Sequence, residues 1–124
     1  MANEKIMIVD DNGAFSQELQ ETLYLCGYDA KAVSDTAKAL RLARRVRPDA
    51  ILLDLRLSGT NGFQVAQTLK EAKETVAIPI IAMSGYFPIE DRSNLLDMHN
   101  MSGRIKKPFE IGELISEIEL VLKR

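Results

Sequence analysis

The chain has 124 residues, of which 46% are hydrophobic and 27% are charged, and its formal net charge is −2 at pH 7. This length and composition predict a single globular domain, over residues 1–124, with a core of its own. The small net charge argues against direct binding to nucleic acid or to anionic membranes, and the sequence shows neither a long apolar run nor a signal-peptide pattern, which favours a cytoplasmic protein.

Short apolar runs alternate with longer segments of helical period along the chain. The runs predict five strands, which are Lys5–Val9, Asp29–Val33, Ala50–Asp54, Ile78–Met83 and Gly103–Lys106. The first, third and fourth are continuous apolar segments, as expected for parallel strands that helices cover on both faces. The sequence therefore predicts an α/β fold of five βα units, with a doubly wound parallel sheet.

The first helix follows the first strand and is expected to end at Gly27. Its apolar stripe consists of Phe15, Leu19, Leu23 and Cys26. Cys26 is the one cysteine of the chain, and its place on this stripe predicts a small core residue.

The second helix follows the second strand, with Ser34 or Asp35 as its cap, and it ends near Val46 because Pro48 blocks its continuation. This helix carries a cluster of cations, namely Lys38, Arg41, Arg44, Arg45 and Arg47. We interpret the cluster as a solvated helix face and leave an acidic partner surface open. Aromatic residues are not interleaved with it, which argues against nucleic acid.

The loop LRLSGTNG follows the third strand and contains Gly59 and Gly62. A third helix begins with the stripe Phe63, Ala66 and Leu69, and a fourth is predicted over about Ile89–Asn100. The fifth and last helix follows Pro108. Its stripe is Ile111, Leu114, Ile115, Ile118, Val121 and Leu122.

Functional side chains of a doubly wound sheet collect at the carboxyl ends of its strands. The residues at those ends are Asp10 and Asp11 after the first strand, Asp54 on the third, Ser84 after the fourth, Lys106 at the end of the fifth and Lys107 directly after it. Three carboxylates, a hydroxyl and a lysine are therefore predicted to meet at one edge of the sheet.

Adjacent carboxylates repel each other, by about 3 kcal/mol at roughly 5 Å and an effective dielectric constant near 20. A positive charge is therefore expected beside Asp10 and Asp11. Mg²⁺, with Mn²⁺ as an alternative, binds a few carboxylate oxygens and shares phosphate oxygens, and a lysine adds a point charge. Asp54 is a candidate nucleophile for phosphoryl transfer, which needs in-line positioning and charge neutralisation.

The sequence resembles the receiver domains of two-component response regulators over essentially its whole length. The landmarks IVDDN, LLDLRLSGTNGF, IIAMSGY and IKKPF occur in that family's order and spacing. The resemblance implies a (βα)5 flavodoxin-like fold with strand order 2-1-3-4-5.

The resemblance also implies a role for each site residue. Asp54 is the expected phosphoacceptor. Asp11 and Asp54 are expected to ligate Mg²⁺ directly, together with the backbone carbonyl of Arg56, and Asp10 is expected to do so through water. Ser84 corresponds to the hydroxyl that follows the phosphoryl group when the domain switches.

The resemblance implies further roles at the end of the fifth strand and in the loop after the third strand. Lys107 corresponds to the phosphate-binding lysine, and the Lys107–Pro108 bond is expected to be cis. Lys106 is its neighbour and not its equivalent. Gly62 corresponds to the turn glycine that follows the acceptor loop.

The chain departs from the family pattern at two positions. Ser58 stands where the family often has proline. Arg104 stands three residues before the lysine, where the family usually has a tyrosine or phenylalanine that turns inward on activation. Tyr86, two residues after Ser84, is the nearest substitute ring, and Tyr86 and Arg56 occupy positions that tune phosphoryl lifetime in the family.

The leading hypothesis is a phosphorylation switch, not a metabolic enzyme. The expected donor is a sensor histidine kinase or a histidine phosphotransfer protein. The expected readout surface comprises the fourth helix, fifth strand and fifth helix, which would contact a downstream protein or effector domain; a homodimer is left open.

Two alternatives come from other functional classes. A receiver-like interaction module that works without phosphorylation is suggested by Arg104. An Mg-dependent phosphatase with an aspartate nucleophile is disfavoured, because Arg56 stands where such enzymes have a second aspartate as proton donor.

Overall fold

The computed structural model describes residues 3–57, 60–85 and 101–123. The main sheet has five parallel strands, β1 to β5, in the order β2-β1-β3-β4-β5. Their bounds are Lys5–Val9, Asp29–Val33, Ala50–Asp54, Ile80–Ser84 and Gly103–Lys106. The predicted flavodoxin-like strand order is confirmed.

Four helices accompany the sheet in the described residues. They are α1 (Gly13–Leu25), α2 (Ala39–Val46), α3 (Gly62–Glu71) and α4 (Ile111–Leu122). The predicted fifth helix is thus α4, because the predicted fourth helix, with Tyr86, lies outside the described residues. Over the three described segments, every helix falls short of the length and apolar character of a membrane span.

The sheet separates two hydrophobic cores, because successive side chains of a strand point to opposite faces. Ile6 and Ile8 of β1 belong to the core under α1 and α4, whereas Met7 and Val9 belong to the core under α2 and α3. Both faces of the central strands are therefore buried, which explains their continuous apolar sequences.

The prediction that Cys26 is a core residue is wrong. Helix α1 ends at Leu25, and Cys26 is its exposed C-cap residue, with its amide hydrogen bonded to the carbonyls of Thr22 and Leu23. Gly27 follows with a φ of 95°, a left-handed conformation that favours glycine and turns the chain away. The helical period no longer sets the side-chain direction at that point.

The predicted cap of the second helix belongs to a turn that precedes it. A 3₁₀ turn covers Thr36–Lys38, and the Asp35 carboxylate accepts a hydrogen bond of 2.9 Å from the amide of Ala37. Helix α2 begins one residue later and ends at Val46, as predicted. Asp35 therefore satisfies backbone donors of the turn rather than those of α2.

Two further differences concern short segments. Strand β4 begins at Ile80 instead of Ile78, because Pro79 has no amide for the ladder and the Ile78 amide bonds to the carbonyl of Thr75. The loop after β3 contains a small antiparallel hairpin, in which Arg56–Leu57 pairs with Thr60–Asn61.

Candidate functional site

The predicted site residues of the described chain do meet at the carboxyl edge of the sheet. Asp10 follows β1, Asp54 ends β3 and Ser84 ends β4. The register pairs Asp54 with Met83, and Ser84 with Lys106, so that these strand ends lie side by side. Lys107 follows directly and its amide donates a 2.8 Å hydrogen bond to the Ser84 carbonyl.

Three carboxylates form a cluster at this edge. Asp10, Asp11 and Asp54 each place one oxygen within 4.8 Å of the others. Asp10 is fully buried and Asp54 is 7% exposed, whereas Asp11 lies nearer the solvent. Clustered carboxylates of this kind are a suitable donor set for a hard divalent cation.

Lys107 supplies the positive charge that the sequence requires beside these carboxylates. Its Nζ lies 2.7 Å from Oδ2 of Asp10 and 3.7 Å from Oδ2 of Asp54. Only 23% of the lysine side chain is exposed, so the surrounding protein screens these pairs less than bulk water would.

One aromatic ring contacts the lysine from the other side, and a second ring packs against the first. The Phe15 ring centroid lies 4.1 Å from Lys107 Nζ, and the Phe109 ring meets Phe15 edge-on, with centroids 6.0 Å apart and an interplanar angle of 81°. A cation over a ring face and a T-shaped pair are both favourable geometries. The sequence predicted Phe15 only as a residue of the apolar helix stripe. Its position four residues after Asp11 could have indicated that its ring lies near the site.

Backbone amides orient two of the carboxylates. The amide of Asn12 donates to Oδ1 of Asp10 at 2.9 Å, and the amide of Arg56 donates to Oδ1 of Asp54 at 3.0 Å. Asn12 also caps α1, because its side-chain oxygen accepts from the Phe15 amide at 3.1 Å. The sequence reasoning overlooked Asn12, although asparagine before a helix is a common cap.

Burial is the largest cause that raises the pKa of Asp54, and the charges of Asp10 and Asp11 raise it further. The Arg56 amide and Lys107 lower the pKa, but by less than the opposing causes raise it. Three carboxylates also face one lysine in this cluster, so Lys107 alone does not balance their charge when all three are ionised. An excess of buried negative charge on oxygen ligands fits a bound Mg²⁺ or Mn²⁺.

Gly62 lies against the backbone of Asp54, at the end of the loop that follows β3. A Cβ atom at this position would lie 2.5 Å from the Asp54 carbonyl oxygen and 2.7 Å from Cα of Leu55. The Gly62 amide donates a 3.1 Å hydrogen bond to the Leu55 carbonyl. The close approach explains the glycine that the resemblance singled out.

The remaining predicted residues have separate places. The Lys107–Pro108 bond is cis, as expected. Arg104 lies on β5, opposite Ala82 of β4, and is exposed. Ser84 is buried at the site. Ser58 and Tyr86 lie outside the described residues.

Curated relatives with similar sequences are regulatory proteins. The chain is 32% identical over 120 residues to the DNA-binding dual master transcriptional regulator RpaA of Synechocystis, and it is 32% identical over 124 residues to the phosphate regulon regulatory protein PhoB of Pseudomonas aeruginosa. These alignments cover 97% and 100% of the chain but 49% and 54% of the relatives. The chain thus spans about half the length of these regulators.

Solved structures share the fold over nearly their full length. Chemotaxis protein CheY4 of Vibrio cholerae superposes with a TM-score of 0.90 at 24% identity, covering 97% of this chain and 99% of that one. The receiver domain of sensor histidine kinase PA1611 of Pseudomonas aeruginosa, which has a magnesium ion coordinated in its active-site cleft, gives a TM-score of 0.86 at 30% identity, with 98% of each chain covered.

The family model for the response regulator receiver domain matches residues 6–119, which include the carboxylate cluster, Ser84 and Lys107. Members of this family serve as phosphoacceptor switches in two-component systems. The chain therefore belongs to the response regulator receiver domain family.

Proposed function

We propose that residues 1–124 act as one receiver domain that accepts a phosphoryl group on Asp54 from the phosphohistidine of a histidine kinase or a histidine phosphotransfer protein. The observation that carries this proposal is the cluster of three carboxylates within 4.8 Å, with the Lys107 ammonium 2.7 Å from Asp10 and 3.7 Å from Asp54. An Asp54 oxygen forms a bond to phosphorus while the phosphorus–nitrogen bond of the donor breaks. The released imidazole nitrogen keeps the electron pair.

The carboxylates of the site would hold the metal ion in different ways. Asp11 and Asp54 would hold Mg²⁺ directly, with the backbone carbonyl of Arg56, and Asp10 through water. Asp10 suits the indirect role because the Asn12 amide and Lys107 already engage its two oxygens. The bound cation would neutralise the charge that gathers on the carboxylates and the phosphoryl oxygens.

Asp54 is positioned before the donor arrives. The Arg56 amide donates a hydrogen bond to its Oδ1. The absence of a side chain at Gly62 lets the backbone there lie close to the Asp54 carbonyl oxygen. Lys107 lies between two carboxylates and over Phe15, within reach of the phosphoryl group that Asp54 would carry. Fixed donors and charges around a nucleophile lower the cost of reorganisation during transfer.

Phosphorylation would then act as a switch. It adds a charge of about −1.5 to −2 at Asp54, which would attract Lys107 away from Asp10 and draw the Ser84 hydroxyl toward the phosphoryl oxygens. A complete change of state needs about 5.5 kcal/mol of differential stabilisation. The proposed readout surface comprises the predicted fourth helix, β5 and α4, and it includes Arg104 and Tyr86.

The output is proposed to pass through another protein or an effector domain, not through contact of this domain with DNA. The relatives named as transcriptional regulators are about twice as long as this chain, so their DNA-binding function need not lie in the matched half. The only catalytic activities that we propose for the domain are its own phosphorylation from a small phosphodonor and its own dephosphorylation.

An interaction module that works without phosphorylation is the second candidate. The observation that favours it is Arg104, an exposed and charged side chain on β5 at the place where the family's inward-turning ring is expected. A partner whose affinity is the same before and after phosphorylation would support this second function.

Intact mass spectrometry tests the proposal. The protein is incubated with Mg²⁺ and acetyl phosphate beside Asp54→Asn and a matched control, Asp29→Asn, at the start of β2 and at the opposite end of the sheet. We expect one phosphoryl adduct in the wild type and the control, none in Asp54→Asn and none with EDTA. An adduct that persists in folded Asp54→Asn would overturn the assignment of the phosphoacceptor.

A further inference from the structure

Charge is distributed unevenly between the two faces of the sheet. Helices α1 and α4, which cover one face, carry five glutamates and no lysine or arginine. Helix α2 on the other face carries three arginines and no acidic residue. Residues 38–47 hold five of the sixteen Lys and Arg and none of the eighteen Asp and Glu, so the rest of the chain has a net charge of −7.

The cations of α2 are directed away from the protein. Arg41, Arg44 and Arg45 are exposed. Arg44 pairs with Glu74 through Nε at 3.2 Å, and the two side chains are 49% and 48% exposed. Across the described part of the chain, Arg41 and Arg45 form no ion pair with a carboxylate. Two guanidinium groups therefore lie one helical turn apart with their pairing capacity unused.

The surface beside these arginines is concave and has an apolar floor. One hollow of about 440 Å³ is lined by Ala37, Leu40, Arg41, Arg44 and Arg45. A second, of about 130 Å³, lies between α2 and α3 and shares Ala37 and Leu40 with the first. An apolar side chain can thus enter at Leu40 while acidic groups meet the arginines on the rim.

We propose that this groove, defined by residues 37–45 of α2 with its preceding turn and residues 64–69 of α3, binds a short amphipathic acidic segment of a partner protein. The groove is distinct from the carboxyl edge of the sheet that holds Asp54. Arginine forks match carboxylates in a bidentate geometry, and Leu40 offers the contact for one apolar side chain set between acidic residues.

The size of the basic patch favours an acidic peptide over nucleic acid. Helix α2 has eight residues and is about 12 Å long. A duplex places one charge per about 1.7 Å and would extend well past the patch, toward the acidic remainder of the chain. A short segment can stay within the patch, where charge complementarity both attracts and orients it.

Backbone NMR of the labelled protein tests the proposal. The probe is a peptide of about 12 residues in which leucine recurs every third or fourth position among Glu and Asp, and the control peptide replaces each leucine with serine. We expect amide shifts confined to residues 37–47 and 64–69, with about tenfold weaker binding to the double variant Arg41→Gln/Arg45→Gln. Added salt should weaken the binding further, because the contacts are exposed.

A matched double variant separates this groove from general electrostatics. Lys31→Gln/Lys123→Gln removes the same number of charges from exposed positions elsewhere, and it should bind the peptide as the wild type does. Three results would each overturn the proposal. They are shifts centred elsewhere or absent at millimolar peptide, an equal loss in both double variants, and displacement of the peptide by a duplex DNA that gives the same shifts more tightly.

Discussion

The ammonium group of Lys107 lies 4.1 Å from the centroid of the Phe15 ring, while it pairs with Asp10 at 2.7 Å. The lysine is thus held between a negative charge and the negative face of an aromatic ring. Both contacts hold the ammonium group beside the carboxylate cluster, where Nζ lies 3.7 Å from Oδ2 of Asp54. Phe15 acts here as a positioning residue for Lys107, through a contact that is separate from the ion pair.

The Phe15–Lys107 contact should be measurable as a coupling energy. A double-mutant cycle of Phe15→Leu and Lys107→Met is expected to give about 0.5–2 kcal/mol, the range for cation–π contacts from exposed to desolvated sites. Urea unfolding of the four proteins measures it. Phe109→Leu with Lys107→Met is the control cycle, since Phe109 stacks on Phe15, and its coupling should be smaller. Equal coupling in both cycles would contradict a direct cation–π contact.

Removal of Lys107 should lower the free energy of unfolding, because the buried Asp10 carboxylate then lacks its cation. The Asp10 side chain is fully buried, and Lys107→Met removes the cation that pairs with it while the hydrogen bond from the Asn12 amide remains. The loss of one member of a buried ion pair typically costs about 3–5 kcal/mol, and the partial exposure of Lys107 places our expectation near the lower end.

The second variant for this prediction is Asp10→Asn. The asparagine amide carries no charge, so the double variant Asp10→Asn/Lys107→Met should recover most of the stability that Lys107→Met loses. Chemical denaturation in EDTA makes the comparison independent of metal. A double variant as unstable as Lys107→Met alone would show that the lysine stabilises the fold through packing and not through charge.

Gly62 offers a steric test of how the loop after β3 packs on Asp54. A methyl group at this position would meet the Asp54 carbonyl oxygen at 2.5 Å and Cα of Leu55 at 2.7 Å, and both of these neighbours are backbone atoms that cannot move freely. Gly62→Ala should therefore lower the free energy of unfolding by about 1–3 kcal/mol, as overpacking does, and should also slow phosphorylation because Asp54 must shift.

Gly112→Ala is the matched control for Gly62→Ala. Gly112 lies in the first turn of α4, and a Cβ there would meet no atom within 4 Å. Alanine is the better helix former, so this variant should be neutral or up to about 1 kcal/mol more stable. Equal effects at the two glycines would refute the steric explanation.

Much of the fold follows from hydrophobic pattern alone. The bounds of β1, β2, β3 and β5 agree with the prediction, because each is a short run set between turn-forming or helix-forming segments. Strand β4 begins at Ile80 and not at Ile78, because Pro79 cannot donate to the ladder. The apolar pattern of the segment does not show this. Cys26 was misplaced because the stripe was extended one residue past the end of α1.

The grouping of the functional side chains at one edge of the sheet was predictable, but the contacts between them were not. Parallel topology brings strand ends to one edge, so Asp10, Asp54, Ser84 and Lys107 could be placed together before any distance was known. The ring of Phe15 over Lys107 depends on the rotation of the first turn of α1. That rotation is set by the Asn12 cap and by the packing of Phe15 on Phe109. The cap is recognisable in the sequence, but the ring contact is tertiary and a linear pattern does not encode it.

The raised pKa of Asp54 predicts a stability that depends on pH. Burial, followed by the neighbouring carboxylates, raises this pKa above its ordinary value of 3.8. The ionised carboxylate therefore destabilises the folded state at pH values above its raised pKa, and the penalty disappears below the unfolded value, where both states are protonated. Asp54→Asn removes the charge and should be more stable than the wild type at neutral pH.

The pH dependence of the stability difference between Asp54→Asn and the wild type tests this prediction. In EDTA, the excess stability of Asp54→Asn should shrink as the pH falls through the raised pKa and vanish below about 3.8. Denaturant midpoints across this range measure it, with Asp29→Asn as the carboxylate control at the opposite end of the sheet. A constant difference at every pH would assign the effect to packing or hydrogen bonding.

Mg²⁺ should stabilise the wild type more than Asp54→Asn, and it should thereby oppose the stability difference between these two proteins in EDTA. Mg²⁺ that binds the folded state alone raises the free energy of unfolding by about 2.7 kcal/mol at a hundredfold excess over its dissociation constant. Asp11→Asn and Asp54→Asn each remove a proposed ligand and should lose most of this gain, whereas Glu21→Gln, exposed on α1, should keep it. Asp54→Asn should therefore be the more stable protein in EDTA and the less responsive one in Mg²⁺. Thermal unfolding of the four proteins with and without Mg²⁺ measures both effects, and an undiminished response in Asp54→Asn would exclude Asp54 from the metal site.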